Sequence, residues 1–383
     1  MRNLARLVIA ALLLCAPGLA AAQQPFPAIV VNAVELSGDG AVAGNNFNNG
    51  VLLAFKEINA AGGILGQRIE VISLDTQTKP EIAKAALQKA AQMDAYAVMG
   101  PVFSGLVLAN MEEIQRAEIP TFIGAEAASL TMRGNPYLFR TSHSQATSMP
   151  RLARYMKDTL RAQTVAMIWV QNEFGKSGRD AMGQALQAEG IQVVADLPTT
   201  PEQKDFAAVV EGARASRADA VFVYLNEDES ADCLRVLHDQ GFGGWIVGES
   251  TLIGQSVLER AREAANGIRG HVGLTPDALV PSIRNFDNRF RQEYNYKSDH
   301  NGMKGYIAAY VIKAATEKVG KFDRQALAKA MKGLTLSAAE HSGILLDVKY
   351  DDKGDLDRVS FIVQVSNRQH QFIAMLPTLA GDF

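Results

Sequence analysis

"AYAVMGPVFSGLVLANMEEIQRAEIPTFI", residues 95–123, decides how this chain folds. Ala95 to Met99 is a short apolar run that stops at Gly100-Pro101, as a buried strand does. Ser104 opens a helical stretch that reaches Ala117, and Pro120 to Ile123 is a second short apolar run. A strand, a helix and another strand in fewer than thirty residues form a β-α-β unit, whose two strands lie parallel. Ser104-Gly105 stands where the strand hands over to the helix. Serine is a common helix cap and glycine lets the chain bend. The same position also suits an anion, because the first N–H groups of a helix are unpaired and point out of its end.

The unit repeats on both sides. Upstream, Ile29–Val34 reads as a strand, Asn46–Ala60 as a helix with Val51, Leu52, Phe55 and Ile58 on one stripe, Arg68–Leu74 as a strand and Pro80–Met93 as a helix with proline in its first turn. Downstream the pattern restarts. Helices are expected over 148–160, 175–189, 206–215 and 229–241, and strands over 164–170, 191–195, 218–224 and 245–247. The expected fold is α/β, with two doubly wound parallel sheets in series. The remainder, 267–383, holds helices at 301–319 and 323–331, strands at 343–350 and 359–365, and a turn at Asp351-Asp-Lys-Gly354 between those strands. It is too irregular for a third β-α domain and completes the other two. A chain that returns to both sheets crosses between them more than once, which makes a hinge with a cleft. Ligands of open α/β sheets sit beyond the carboxyl ends of the strands, where residues 99–104 lie, and this favours the binding reading of Ser104.

The bulk properties narrow the class. Met1 to Arg6 carries two arginines, Leu7–Leu14 is apolar, Cys15-Ala-Pro-Gly breaks the run, and Ala20-Ala-Ala22 offers the small residues of a cleavage site. Residues 1–22 read as a signal peptide cut near Ala22, and the protein as exported to the periplasm. The apolar run is too short for a membrane span. Leu14 before Cys15 argues against lipid attachment. With 48% hydrophobic and 21% charged residues the chain is globular, and its length suits two domains. A net charge of −3 argues against nucleic acid or an anionic membrane as partner. After cleavage Cys233 alone remains, so no internal disulfide forms.

Signatures of catalysis are missing. The chain has no GxxxxGK[ST], no GxSxG and no HExxH, and its six histidines are scattered. Gly38-Asp-Gly40 lacks the third glycine of a dinucleotide fingerprint. Cys233 reads as a small core residue beside Leu234, and Glu227-Asp-Glu229 as a helix start favoured by the dipole. No cofactor and no metal is expected, and the protein is read as a non-enzyme.

Several stretches together resemble the exported solute-binding proteins of the branched-chain amino acid ABC transporter family, which are type I periplasmic binding proteins. They are "INAAGGILGQRIEVISLDTQTKP" (58–80), "GPVFSG" (100–105), "IPTFIGAEAASLT" (119–131), "PYLFRT" (136–141), "EFGKSG" (173–178), "QKDFAAVV" (203–210) and "DDKGDL" (351–356). The matches keep their order and cover nearly the whole mature chain. The resemblance implies two α/β lobes joined by a three-segment hinge. Lobe one would be 27–142 plus 272–349 and lobe two 143–271 plus 350–383, with crossings near 141–144, 270–273 and 349–352. Gly62-Gly63 would serve as a helix C-cap rather than touch ligand.

By the same resemblance, Ser104 helps hold a ligand α-carboxylate, Phe103 lines the pocket before it, and Phe174 is the second-lobe aromatic that shuts over the ligand. Asn226 and Glu227 fall on the opposite wall. Glu249 matches the acid that pairs with the α-ammonium, after a one-residue shift. Ala125 and Glu126 stand where amino acid binders carry a small residue and then Thr or Ser. A carboxylate beside a ligand carboxylate repels it unless it pairs with a cation or points away. The family's first-lobe tyrosine is replaced by something small near Ala43. Both departures weaken the case for leucine, isoleucine or valine and leave other amino acids, aromatic acids and amides open. The implied function is capture of such a solute by hinge closure and delivery to ABC permease subunits, the protein itself a monomer. Two rival readings are a sensor feeding a signalling partner and an exported amide hydrolase.

Overall fold

The computed structural model describes residues 27–378; the expected signal peptide lies outside the described residues. Five strands, β1 (Ala28–Val34), β2 (Ile69–Asp75), β3 (Ala97–Met99), β4 (Thr121–Ile123) and β5 (Leu138–Arg140), form the first sheet. All are parallel, in the order β2-β1-β3-β4-β5. The second sheet begins with β6 (Thr164–Val170), β7 (Gln192–Thr199), β8 (Ala220–Tyr224), β9 (Trp245–Glu249) and β10 (Arg269–Val272). A small antiparallel sheet follows, made of β11 (Thr335–Leu336), β12 (Val348–Tyr350) and β13 (Leu356–Asp357). The chain then returns to the second sheet with β14 (Ser360–Ser366) and β15 (Gln369–Leu376), giving the order β15-β14-β10-β9-β8-β6-β7. These last two strands are antiparallel to their neighbours, and Asn367-Arg368, both at positive φ, turn one into the other. The fold is therefore two doubly wound α/β lobes.

The first lobe is completed by chain that arrives late. Helix His300–Val319 lies against helix Ala41–Ala60, and glycines set the approach. A Cβ on Gly50 would stand 1.9 Å from the Gly302 carbonyl oxygen, and one on Gly305 would stand 2.3 Å from that of Phe47. Larger residues would push the helices apart and take Lys304, one helical turn past His300, out of the cleft. Helix Pro281–Tyr294 was not foreseen, although it buries Ile283, Phe286 and Phe290 at helical spacing.

The single helix expected over 104–117 is two, Ser104–Ala109 and Met111–Ala117. Asn110 separates them: its side-chain amide donates to the carbonyls of Pro80 (3.1 Å) and Leu106 (2.9 Å), a local alternative to the regular ladder. The turn at 351–354 forms, with the Asp351 carboxylate accepting from the N–H groups of Lys353 and Asp355. It joins β12 to β13, however, rather than leading directly into the second sheet.

Candidate functional site

The loop after β3 is held from below by Glu35, which directly follows β1 and is fully buried. Its carboxylate accepts from the N–H of Val102 (3.1 and 3.2 Å) and of Phe103 (3.0 Å). Burial raises the acid from 4.5 to about 7, against the opposing pull of those two N–H groups. Two amides next to Ser104 are thus turned inward, away from the cleft. Ser104 opens its helix and is buried; its hydroxyl oxygen accepts from the N–H of Ala127 at 3.2 Å. That bond ties the loop after β3 to the loop after β4 and leaves the hydroxyl hydrogen available to donate.

Arg140 shapes the second loop. Its side chain has no exposed surface and donates to the carbonyls of Ala125 (2.8 Å) and Ala127 (3.0 Å) and to the Thr131 hydroxyl (3.0 Å), while pairing with Asp355 at 2.5 Å. Ala125, expected at the ligand wall, is consequently packed in the first-lobe core with its carbonyl on the guanidinium. Glu126, the next residue, points the other way and meets Lys304 Nζ at 2.6 Å. Lys304 is only 5% exposed in its side chain and also lies 3.4 Å from the Gly124 carbonyl and the Asn301 side-chain oxygen. The repulsion anticipated between Glu126 and a ligand carboxylate is therefore offset by a cation from the same lobe.

The second lobe supplies the opposite wall. Phe174 stacks on Tyr224, ring centroids 4.3 Å apart and planes 20° from parallel. Gln145 holds this pair, its amide donating to the Phe174 carbonyl (3.0 Å) and the Tyr224 hydroxyl oxygen (2.8 Å). Asn226 precedes helix Glu227–Asp239, so Glu227 sits in the first turn. Glu227 is buried, and its acid is raised to about 7 by burial and by Asp299. The lobes touch across the cleft. The N–H of Ala128 donates to Ser177 Oγ (3.1 Å), Ser129 Oγ to Glu173 (3.0 Å), and the Asn301 amide to Glu227 (3.4 Å).

Between these walls lies a cleft with about 370 Å³ of empty space, open solvent included. Phe103, Ser104 and Glu126 of the first lobe face Phe174, Asn226 and Glu227 of the second. Ala43, His300, Asn301 and Lys304 complete the lining. Burial and the nearby Lys304 hold the His300 imidazole well below its ordinary value, so it is neutral. Ala43 makes room where the resemblance expected a tyrosine to have been lost.

Five of the seven residues picked from sequence thus meet at one cavity, and Ala125 does not reach it. Glu249 does not line it either. It faces an adjoining cavity of about 320 Å³, where His271 Nδ1 lies 2.9 Å from one carboxylate oxygen and Ser148 Oγ donates to the other at 3.1 Å. Lys304 was missed, although a lysine among Gly302, Met303, Gly305 and Tyr306, in the apolar first half of its helix, was a visible signal. Glu35 was missed because nothing local distinguishes it from a solvated acid at a strand end.

Two α/β lobes around a shared polar and aromatic cavity define a solute-binding protein of the type I periplasmic kind. The chain belongs to the periplasmic binding protein family, whose model matches residues 30–369. The Leu/Ile/Val-binding protein BraC3 of Rhizobium johnstonii is 27% identical over 335 residues, spanning 85% of this chain and 88% of that protein. The substrate-binding protein LivJ of a Streptococcus pneumoniae branched-chain amino acid transporter, solved with isoleucine, has a TM-score of 0.82 at 22% identity, covering 92% of this chain and 99% of that one. An ABC transporter solute-binding protein from R. palustris, solved with benzoate, has a TM-score of 0.83 at 18% identity, covering 93% of this chain and 98% of that one. No helix among the described residues is long and apolar enough to cross a membrane.

Proposed function

We propose that this protein is a periplasmic receptor that captures a small amino acid or related carboxylate or amide and delivers it, chemically unchanged, to an ABC importer. One observation carries the reading: Ser104, Phe103 and Glu126 from one lobe and Phe174, Asn226 and Glu227 from the other converge on a single cavity. Relatives named for leucine, isoleucine and valine binding, and a structural neighbour holding benzoate, mark out the chemical range.

In this reading the Ser104 hydroxyl donates to the ligand carboxylate, with Lys304 neutralising Glu126 beside it. Phe174, backed by Tyr224, covers the apolar part. The ammonium of an amino acid pairs with Glu227, the role the resemblance gave to Glu249, which His271 and Ser148 engage instead. Ligand bound between the lobes favours the closed form because it touches both at once. Swinging an equilibrium from 1:99 to 99:1 takes about 5.5 kcal/mol of differential binding, and excluding water strengthens each polar contact.

A thermal-shift screen of the mature protein over amino acids, aromatic acids and amides tests this. A true ligand raises the melting temperature as mass action requires and is recovered intact. X-ray scattering then records compaction on binding. If no compound of any class shifts melting and the scattering profile never changes, the receptor reading falls.

A further inference from the structure

The cavity that holds Glu249 has a feature the ligand site does not need. It lies where the links between the lobes meet: Ser142 and His143 lie in the first, Gly273 follows β10 at the second, and Arg358 lies between β13 and β14, past the 349–352 expected for the third. Arg358 is 1% exposed, yet its guanidinium makes no ion pair among the described residues. Its neighbour Asp357 is engaged by Arg151 at 2.8 Å. Arg358 Nε and Nη1 have no hydrogen-bond partner, and neither has His271 Nε2. The two acids on the lining are committed elsewhere, Glu126 to Lys304 at 2.6 Å and Glu249 to His271 and Ser148. His143 adds no charge, since burial and the nearby Arg358 keep its imidazole well below the ordinary value. Asp357 and Glu126 act on the Arg358 charge only from a distance, and a buried guanidinium with open donors and no directly paired carboxylate is unfavourable by itself. Buried polar donors call for a partner.

We propose that this hinge cavity is a small-anion subsite, with Arg358 as its charged anchor. A guanidinium matches a planar carboxylate through paired charge-assisted hydrogen bonds. The hinge cavity shares Glu126, His300 and Lys304 with the ligand cavity. The anion is therefore either the second carboxylate of a bound solute or a small free anion such as formate. The first source rests on the receptor reading above, and the second does not. Either would couple the site to closure, because the links that line it connect the two lobes.

The test uses the mature protein in two arms. In the first, sodium formate replaces sodium gluconate at constant ionic strength while melting is followed; a free-anion site gives a saturable rise. In the second, calorimetry compares L-glutamate with L-glutamine and phthalate with benzoate. A site for the solute's own carboxylate favours the diacid of a pair by about 10- to 100-fold, the range expected for hydrogen bonds to charged groups. Arg358→Gln removes whichever response is seen, and Arg358→Lys restores part of it. Should Arg358→Gln not fold, bromide-soaked wild-type crystals give an anomalous peak beside Arg358. No formate response together with equal binding of both pairs overturns the proposal, as does a response that Arg358→Gln leaves undiminished. A formate response with no solute bound from any class leaves the subsite standing and sinks the receptor reading.

Discussion

Replacing Glu35 with Gln tests whether the loop that carries Ser104 is braced by a buried acid. Glu35 titrates at about 7 in the fold against an ordinary 4.5. The folded state therefore binds the proton more tightly than the unfolded chain. Its stability contribution is fully present below about pH 4.5 and is lost as pH rises to about 7. At about 1.4 kcal/mol per pH unit, the loss is about 3 kcal/mol. Gln mimics the protonated acid, and its oxygen still accepts from Val102 and Phe103. Urea unfolding at intervals from pH 4.5 to 8 should find the variant equal to wild type at the acid end and about 3 kcal/mol more stable at the basic end. The comparison isolates Glu35, because the other raised acids, Glu202, Glu227, Glu229 and Asp299, are the same in both proteins. Two stability curves that stay parallel within about 1 kcal/mol would refute the placement of this carboxylate beneath the loop.

Other residues give separate readouts. Ser104→Ala should weaken ligand binding about tenfold, the worth of one hydrogen bond, measured by calorimetry. Lys304→Met should lower unfolding stability by about 1–3 kcal/mol because it leaves the partly buried Glu126, 14% exposed, without its cation, and adding Glu126→Gln should recover most of that loss. Glu227→Gln should cut the affinity for an amino acid about tenfold while sparing an aromatic monocarboxylate. The wild-type affinity for that amino acid should rise about tenfold between pH 6 and pH 8, as Glu227 ionises near 7. A flat profile in calorimetric titrations over that range would remove Glu227 from the ammonium site.

Much of this was legible in the chain before folding. Alternating strand and helix signals, with strands too apolar to face water, predicted two parallel sheets; the first formed so, and the second carries the antiparallel β14 and β15 at one edge. Ser104 could be placed because a β3–helix junction at the carboxyl end of a parallel sheet is a local pattern, and Phe174 and Asn226 lie at equivalent junctions in the second sheet. Pro281–Tyr294 was equally legible, its apolar residues recurring at helical spacing, and was passed over because the surrounding segment is irregular. The shift of one residue that separates Ala125 from Glu126 was beyond local reading. Which of them faces the cavity depends on Arg140 seizing two carbonyls, and its anchor Asp355 lies 215 positions away.

Local chemistry and periodicity, which act over a few residues, determined by themselves the β-α order, the lobed architecture and the junctions where binding residues cluster. Tertiary structure alone decided the charges of the site. Lys304 cancels Glu126 across 178 positions of sequence, Glu249 turns to His271 instead of the cavity, and Arg358 arrives at the hinge with no ion pair among the described residues. The physical reason is that electrostatic energy depends on separation in space and on burial, and neither is written in the spacing of residues along the chain.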